Sequence, residues 1–564
     1  MLIGIDLGTT NSLVACFQEG KAELIPNRLG SFLTPSVVSV DPRGNLYIGE
    51  AARERALLQP LESASMFKRS MGTDKEFILG QLRFRAEELS SLILKSLKED
   101  AEAFLGEAVT DAIISVPAYF NDHQRKATKR AGELAGLNVV RIINEPTAAA
   151  IAHGMMETDD ARCLVFDLGG GTFDVSILEL YSPIMEVHAI AGDNFLGGED
   201  FTKVLCDLFY AHAGVAPEAL DAKTRSDVRK TAESCKCAFS NSPAIIMICN
   251  LGGKTHAMPL TLQQYEQACA PLLERLRKPV ERSLRDANVS LQEIDQIVLV
   301  GGATRSPVIR RFVERLFGRK PSLRIDPDVA VALGAALQCA MKERNRDIQE
   351  VVLTDVCPFT LGTEVVADNG TFEESGHYLP IIERNTTIPV SRTQTVCTAS
   401  DNQTKVCVKV LQGESRMAAN NLLLGELTVS VPAGPKGKEA VDITYTYDVN
   451  SLLEVEVFVR STGLRRRMVI QNSKNRMTDE EANERLRQLE YLKRDPRDEE
   501  PNRLLLLRGE RMYEESTADA RQAIDRAVME FERALKRKDN AEIERAREKL
   551  EQFLNDMEFG SFMN

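Results

Sequence analysis

The amino-acid sequence predicts a multidomain protein in which an α/β region is followed by a β region and then by an α-helical region. Three observations support this prediction. The chain has 564 residues, which is too many for one hydrophobic core. A strand–turn–strand pattern containing Asp-Leu-Gly occurs twice in the first part, and short alternating segments separated by turn residues fill 356–472. The remaining residues are charge-dense, with apolar side chains at helical spacing.

The composition excludes several classes of protein. Hydrophobic residues make up 43% and charged residues 27% of the chain, as in ordinary globular proteins. A net charge of -13 argues against non-specific binding of nucleic acid, which depends on Lys and Arg. No apolar run reaches the roughly 18–20 residues of a membrane helix, so no membrane partner is expected. Eleven scattered cysteines without Cys-x-x-Cys spacing predict reduced thiols and a cytoplasmic location.

The repeated pattern defines the first region. "LIGIDLGTTNSLVACF" (2–17) and "LVFDLGGGTFDVSILEL" (164–180) each contain an apolar strand that ends in Asp-Leu-Gly, a turn of Gly and Thr, and an alternating strand. The aspartates Asp6 and Asp167 lie about 160 residues apart, whereas solenoid repeats have periods of roughly 20–50 residues. The pattern therefore predicts two similar subdomains, each with a hairpin.

The residue types in these turns indicate phosphate and metal binding. Glycines allow successive backbone N–H groups to point inward and form an anion-binding concavity. Two facing turns would hold a polyphosphate from both sides. The two aspartates would then repel the polyphosphate unless a divalent cation lay between the carboxylates and the phosphates. Hydrated Mg²⁺ suits that position. The alternative is a pair of ordinary glycine-rich hairpins, which the matched aspartates disfavour.

Two further glycine turns lead to different predictions. "QIVLVGGATRSP" (296–307) places Gly301 and Gly302 between an apolar strand and a predicted helix over 308–317, which indicates a nucleoside-binding edge. "GGKT" (252–255) looks like part of a P-loop, but the required first glycine is replaced by Ile248. We expect an ordinary hairpin turn there.

Together the three glycine turns resemble the actin-like ATPase fold of actin, sugar kinases and DnaK-type chaperones. Longer motifs resemble the seventy-kilodalton heat-shock chaperones from residue 1 to about residue 470. These motifs are "SVPAYFNDHQRKAT" (115–128), "INEPTAAA" (143–150), "NFLGGEDF" (194–201), "VVLTDVCPFTLGTE" (351–364) and "IIERNTTIPVSRTQT" (381–395). "FKRSMG" (67–72) and the short C-terminal region are most similar to the HscC branch.

The resemblance implies an ATPase domain over 1–350 that hydrolyses ATP to ADP and phosphate, with Mg²⁺ and K⁺ as cofactors. It implies that Lys68 reaches the γ-phosphate and that Glu145 and Asp174 orient or activate the attacking water. Asp6 and Asp167 would hold Mg²⁺ through water. The remaining residues expected near the phosphates are Gly8, Thr9, Thr10, Gly169, Gly170, Gly171, Thr172, Gly197, Gly198 and Glu199. Those expected at the adenosine are Glu233, Lys236 and Ser240, on one helix face, with Gly301, Gly302, Arg305 and Asp328.

The resemblance also implies that nucleotide controls peptide binding. Residues 351–355 would be a linker that docks on the ATPase domain with ATP, and its coupling residues would be Val351, Val352, Leu353 and Asp355, with Pro117 and Arg125 as a relay. A β-sandwich at 356–472 would bind extended apolar segments of unfolded polypeptides. Its pocket residues would be Thr363, Val366, Val396, Ala399, Val406, Val408 and Leu452. A helical lid at 473–564, interrupted by the prolines of "EYLKRDPRDEEPN" (490–502), would complete a monomer that works with a J-domain cochaperone; a nucleotide-exchange factor is left open.

Five positions depart from the family pattern. Ala303 and Cys237 predict weaker nucleotide binding, and Thr354 predicts weaker linker docking. Thr363 and Val396 predict a peptide pocket that is more polar and makes smaller contacts. Two other functions remain open from the sequence. An actin-like small-molecule kinase would leave 356–472 unexplained, and a non-catalytic sensor would use nucleotide only to set its conformation.

Overall fold

The computed structural model describes most of the chain. The described residues are 1–154, 161–181, 184–322, 324–343, 352–368, 373–448, 452–470, 502, 505–506, 508–509, 512–513, 516, 518–537 and 540–560. The predictions made for Val351 and for almost all of 490–502 lie outside these residues.

Strands and helices alternate in the described residues up to 343, and strands dominate in those from 352 to 470. The strands are β1 Leu2–Asp6, β2 Asn11–Gln18, β3 Lys21–Ile25, β4 Thr34–Pro35, β5 Val37–Val40, β6 Leu46–Ile48, β7 Ser63–Ser65, β8 Glu76–Leu79, β9 Leu82–Arg85, β10 Asp111–Val116, β11 Asn138–Asn144, β12 Ala161–Leu168, β13 Phe173–Tyr181, β14 Ile184–Asp193, β15 Ala244–Leu251, β16 Lys254–Thr261, β17 Gln296–Val300, β18 Val352–Val356, β19 Leu361–Asp368, β20 Glu373–Ile382, β21 Thr387–Ile388, β22 Val390–Cys397, β23 Lys405–Gln412, β24 Leu422–Ser430, β25 Ala440–Tyr447, β26 Leu453–Val459 and β27 Arg465–Val469. The α-helices among the described residues are α1 Glu50–Leu58, α2 Ala86–Leu105, α3 Asp122–Leu134, α4 Glu145–Gly154, α5 Gly198–Ala213, α6 Ala222–Ala238, α7 Leu262–Ala268, α8 Ala270–Asp286, α9 Pro307–Phe317, α10 Ala330–Lys342, α11 Ala518–Arg537 and α12 Asn540–Gly560.

Two sheets of the first region share one plan. In the first sheet, β1 pairs antiparallel with β2 and parallel with β10, and the order is β11-β10-β1-β2-β3, with β4 also paired to β2. In the second sheet, β12 pairs antiparallel with β13 and parallel with β17. Each Asp-Leu-Gly stretch therefore joins two antiparallel strands, and the prediction of two similar hairpins is confirmed.

The central strands of these sheets are buried because helices cover them. Helix α10 packs on both β1 and α4. A side chain at Gly4 would have its Cβ 2.4 Å from the backbone nitrogen of Ala336, so only glycine permits this strand–helix approach. The close packing holds the ends of β1 and α4, and the acidic residues there, in fixed positions.

Helices α5 to α9 and strands β15 and β16 share one hydrophobic core with β12, β13 and β17 of the second sheet. The "GGKT" stretch is the turn between the antiparallel strands β15 and β16, where Leu251 pairs with Lys254. Gly252 and Gly253 both have positive φ, at 58° and 79°. The expectation of an ordinary hairpin turn is confirmed.

Residues 356–470 form two antiparallel sheets of four strands. Their orders are β20-β19-β23-β24 and β22-β25-β26-β27. Alternate residues of both sheets meet in one core, which includes Leu361, Val408, Val441, Tyr445 and Val457. The alternating segments of the sequence are thus strands, and their apolar residues lie between the sheets.

The last described helices pack on each other through the apolar stripe expected from the sequence. Phe531 on α11 is 1% exposed, and Leu550 on α12 is 2% exposed. The other members of the stripe are Ala527, Val528, Ala534, Leu535, Ile543, Ala546 and Phe553. Among the described helices, none combines the length and the apolar character that crossing a membrane requires.

Candidate functional site

The hairpin turns, the third glycine turn and helices α1 and α6 enclose a cleft of about 740 Å³. Its volume lies within the roughly 300–1,000 Å³ of typical small-molecule sites. The sequence-predicted residues that line it are Asp6, Gly8, Thr9, Thr10, Lys68, Glu145, Asp167, Gly169, Gly170, Thr172, Gly198, Glu199, Glu233, Lys236, Ser240, Gly301, Gly302, Arg305 and Asp328. The lining does not include Asp174, Gly171 and Gly197.

Glycine is required where the two halves of the cleft meet. A Cβ on Gly170 would lie 1.8 Å from Thr10 Oγ1, which belongs to the other hairpin turn. A Cβ on Gly197 would lie 2.4 Å from the backbone nitrogen of Gly171. Backbone N–H groups of the two turns can therefore approach one ligand from opposite sides.

Four carboxyl groups and one ammonium group converge at the floor of the cleft. Lys68 Nζ lies 2.7 Å from Glu145 Oε1, and both side chains are almost fully buried. Burial, followed by the charge of Glu145, raises the pKa of Asp6 to about 7. The same causes raise the pKa of Asp174 to about 7 and the pKa of Asp167 well above its usual range. One lysine therefore does not neutralise this group of acids.

The donor set of the floor fits a divalent cation. Asp167 Oδ2 is buried and has no hydrogen-bond partner in the described part of the chain. Asp6 accepts a hydrogen bond from Ser115 Oγ at 3.0 Å, which orients its carboxylate. Carboxylate oxygens are hard ligands that suit Mg²⁺. A hydrated cation between Asp6 and Asp167 would offset the burial and the repulsion from Glu145 that raise their pKa values.

The other end of the cleft carries the residues predicted to contact adenosine. Lys236 Nζ lies 2.7 Å from Glu233 Oε2 and donates to the carbonyl of Gly198 at 3.0 Å. Arg305 Nε donates to Asp328 Oδ2 at 2.8 Å. The prediction that Ser240 shares a helix face with Glu233 is wrong, because α6 ends two residues earlier, at Ala238. The turn that follows α6 nevertheless keeps Ser240 in the cleft wall.

The linker is a strand of the second sheet. Leu353 and Thr354 in β18 pair in parallel with Met185 and Glu186 in β14. The other end of the strand, at Asp355, pairs antiparallel with Ile388 in β21. The predicted docking strand is confirmed as a strand, and it joins the α/β region to the two four-stranded sheets.

A hydrogen-bonded chain connects this strand to the floor of the cleft. Arg125 Nη2 donates to Asn144 Oδ1 at 2.7 Å, and Asn144 Nδ2 donates to Asp355 Oδ2 at 2.7 Å. Arg125 also donates to the carbonyls of Ala118 and Phe120. Burial raises the pKa of Asp355, although its hydrogen bonds and the two nearby arginines oppose the shift. Asn144 directly precedes Glu145, so the chain reaches the carboxylate that pairs with Lys68.

Several side chains at these sites were not predicted from the sequence. Asn144 and Ser115 lie inside two of the family motifs. The apolar residues beside them in the sequence were the feature that could have indicated a buried role for each side chain. Arg69 follows Lys68 and donates from Nε to the carbonyl of Gly171 at 2.8 Å, across the cleft. Arg384 makes two hydrogen bonds to Asp286, at 2.8 and 2.9 Å. No pattern in the sequence links these last two residues, which are about 100 positions apart.

The predicted peptide-pocket residues are only partly brought together. Val408 is 1% exposed in the core between the two four-stranded sheets, and Val396 and Val406 are half-buried against that core. Val366 is 39% exposed and, by strand alternation, lies on the opposite face of β19 from Thr363. The remaining pocket residues, Ala399 and Leu452, are half-buried at strand ends.

Comparisons with known proteins agree with the motifs. A family model described as Hsp70 protein matches residues 2–78 and 75–561. The chain is also similar to the chaperone protein DnaK of Thermotoga neapolitana. The two are 41% identical over 496 residues, which cover 85% of this chain and 82% of that protein.

Proposed function

The chain belongs to the Hsp70 family and is an ATP-dependent chaperone, and on this premise we propose that the enclosed cleft is its ATPase site and that residues 356–470 bind its peptides. The family predicted from the motifs is confirmed. The observation that carries the proposal is the chain from Arg125 through Asn144 to Asp355, because it links the cleft floor to the linker strand.

In the proposed ATPase site, catalysis depends on the positioning of the reactants and on electrostatic stabilisation of the charge that develops on the phosphate. Lys68 faces Glu145 at 2.7 Å and is held where a γ-phosphate would develop charge. Glu145 and Asp174 orient the attacking water, and Asp174 is itself oriented by the backbone N–H of Tyr119 at 3.2 Å. Asp6 and Asp167 would hold Mg²⁺ through water, and the cation would supply positive charge next to the phosphates. Thr10, Thr172 and the glycine turns bind the phosphates from both sides.

Glu233, Lys236, Ser240, Arg305 and Asp328 form the proposed adenosine end. Lys236 and Arg305 are each held by an acidic neighbour, so their positions are set before nucleotide binds. Cys237 is exposed in the cleft wall, and its Sγ lies 3.7 Å from Glu233 Oε1. A thiol offers a smaller flat contact than an arginine, which supports the predicted weaker binding of the base.

The proposed coupling runs through the linker. With ATP, the strand β18 stays on β14 and the peptide domain lies against the ATPase domain. Contacts that support this arrangement include Arg384 with Asp286 and the hydrogen bond from the backbone N–H of Ile190 to Asn385 at 3.0 Å. Hydrolysis to ADP would release the strand and slow peptide exit. The affinities for ATP and peptide are then coupled reciprocally.

Several finer assignments are part of the proposal. The ATPase domain, 1–350, would have two actin-like subdomains, and 351–355, 356–472 and 473–564 would be the linker, the peptide domain and the lid. K⁺ would accompany Mg²⁺. Extended polypeptides and a J-domain cochaperone would be its partners, and the chain would act as a monomer in the cytoplasm. The eleven cysteines, all free thiols, support that location. Membership of the HscC branch stays a prediction.

The release rate of a fluorescent extended apolar peptide tests the proposed function. The rate is measured on the full chain with ADP and then with ATP and Mg²⁺. We expect release to accelerate at least tenfold with ATP, which corresponds to about 1.4 kcal/mol of coupling. Tight binding with a release rate that is the same with ATP and with ADP would contradict the proposed coupling. If no peptide bound, the proposed peptide site would be contradicted.

An actin-like kinase is the second candidate. Incubation with candidate sugars and labelled ATP separates the two functions. We expect inorganic phosphate and no phosphorylated sugar. A phosphorylated sugar would overturn the chaperone assignment of the cleft.

A further inference from the structure

Three consecutive backbone carbonyl groups of the second glycine turn are held by donors from outside the turn. The carbonyls of Gly169 and Gly170 accept from the backbone N–H groups of the first two residues of α5, at 2.9 and 3.0 Å. The carbonyl of Gly171 accepts from Arg69 Nε at 2.8 Å. Arg69 is thus the one side chain in a set of three donors that fixes the turn.

The direction of these carbonyl groups determines the direction of the N–H groups that follow them. In a trans peptide, the C=O of one residue and the N–H of the next point to opposite sides. The N–H groups of Gly170, Gly171 and Thr172 therefore point away from the donors that hold the turn. Among the described residues, no protein group accepts a hydrogen bond from these three N–H groups. They are available to bind an anion together.

Arg69 reaches the turn from the opposite half of the cleft. It lies in the 3₁₀ turn Phe67–Ser70, where Phe67 is buried in the core of the first sheet. Its Nη2 lies 2.6 Å from Asp200 Oδ2, and that oxygen also accepts from the backbone N–H of the residue before α5 at 2.8 Å. The guanidinium is therefore held by the carboxylate, and the Nε–H that meets the Gly171 carbonyl has a fixed direction.

The two contacts of Arg69 require the shape of a guanidinium group. Nε–H and one Nη–H lie on the same edge of a planar group, so they can donate in parallel to the carbonyl and to the carboxylate. A lysine brings a single nitrogen atom and cannot reproduce this pair of donors. The approach is also close, because a Cβ on Gly171 would lie 2.8 Å from Arg69 Nε. Glycine at this position lets the guanidinium reach the backbone.

We propose that Arg69 is a positioning residue for the phosphates of the nucleotide: it holds the Gly171 carbonyl so that the N–H of Thr172 points into the cleft. This inference rests on the proposed ATPase site. Thr172 lines the cleft and Arg69 does not, so Arg69 acts through the turn and not by contact with the ligand. Its effect should therefore be confined to ligands that carry phosphate.

A comparison of ADP with adenosine tests the proposal. Binding of ADP with Mg²⁺ and of adenosine to the full chain is measured by calorimetry. Adenosine has no phosphate, so it reports on the rest of the cleft. Arg69→Met keeps a long unbranched side chain and removes the donors. For this variant we expect ADP to bind at least tenfold more weakly, as the loss of a charge-assisted hydrogen bond allows, and adenosine to bind within about twofold of the unsubstituted chain.

Two further variants assign the effect. Arg69→Lys keeps the positive charge and loses the parallel donors, so its ADP binding should stay at least about threefold weaker than that of the unsubstituted chain. It also decides the question if Arg69→Met does not fold, which thermal unfolding checks. Arg83→Met is the matched control, because Arg83 is exposed on β9, outside the cleft lining, and its Nη1 lies 3.1 Å from Glu76 Oε2. The control should bind both ligands as the unsubstituted chain does.

The outcomes separate this inference from the function on which it rests. Unchanged ADP binding by Arg69→Met would overturn the positioning role and leave the ATPase assignment in place. Equal losses for ADP and adenosine would also overturn it, because Arg69 would then support the cleft as a whole. Full ADP affinity in Arg69→Lys would show that charge alone suffices and would overturn the role of the parallel donors. If the unsubstituted chain bound neither ligand, the proposed ATPase site would be contradicted, and this inference with it.

Discussion

Asn144 donates a hydrogen bond to Asp355 over 2.7 Å, and through it the linker strand is joined to the residue next to Glu145. Asn144 is 4% exposed, and its carbonyl oxygen is occupied by Arg125. Both the oxygen and the nitrogen of its side-chain amide are therefore hydrogen-bonded. A movement of β11 at the cleft would be transmitted directly to β18. This short connection is a physical route by which nucleotide chemistry can change peptide binding.

Substitution of Asn144 should uncouple the domains. Asn144→Ala leaves Asp355 without its side-chain donor, which costs about 1–3 kcal/mol in the docked form. We expect the acceleration of peptide release by ATP to fall at least fivefold, while ATP still binds. Asn138→Ala is the matched control, since Asn138 lies at the other, exposed end of β11, where its Nδ2 donates to Asp111 Oδ1 at 2.6 Å. An Asn144→Ala variant with full acceleration would contradict this route.

Linker docking should also depend on pH. Burial raises the pKa of Asp355 in the docked form, so the docked form binds a proton more tightly than the released form does. Docking is therefore strongest below the usual pKa of about 3.8 and weakens as pH rises through the raised value. Asp355→Asn should remove this dependence.

A single tryptophan can report the docking. The chain contains no tryptophan, and the Phe359 ring lies 4.4 Å from the Tyr119 ring across the domain contact. Fluorescence of Phe359→Trp, followed as the pH rises from about 4 with and without Asp355→Asn, measures the effect. A dependence that survives in the double variant would assign it to another group.

Lys68 should matter for hydrolysis more than for nucleotide binding. Its ammonium group is 2.7 Å from Glu145, and its side chain is 3% exposed. For Lys68→Ala we expect ADP binding to survive and single-turnover hydrolysis to drop at least tenfold, or more than about 1.4 kcal/mol of barrier. Lys98→Ala is the control, because Lys98 is half-buried on α2, outside the cleft lining, and its Nζ donates to the carbonyl of Gly136 at 3.0 Å. Unchanged turnover would remove Lys68 from the mechanism and favour a sensor.

The pair of Arg384 and Asp286 should contribute to domain docking. Because the pair has two parallel hydrogen bonds and is partly buried, it should stabilise more than an ordinary surface ion pair. The partial exposure of Arg384 limits this stabilisation. A double-mutant cycle with Arg384→Gln and Asp286→Asn, read out by the Phe359→Trp signal, should give a coupling free energy of about 1 kcal/mol. Additive effects of the two substitutions would mean that the pair does not stabilise the docked form.

Local patterns predicted much of the fold. The hairpin with Asp6, the hairpin with Asp167, the helix after Gly302, the "GGKT" turn and the apolar stripe of the last helices were all readable, because strand and helix periodicity and glycine turns are properties of adjacent residues. The helix face assigned to Ser240 was wrong because the end of α6 at Ala238 has no strong stop signal.

The sequence by itself determined the family, the two matched phosphate turns and the identity of the residues at the cleft, since these lie in continuous motifs. Only the tertiary structure decided which distant groups meet. The contacts of Asn144 with Asp355 and of Arg384 with Asp286 depend on how separate elements pack. The packing free energy is summed over the whole core. Contacts between residues that are distant in the sequence therefore cannot be predicted from any one segment of the chain.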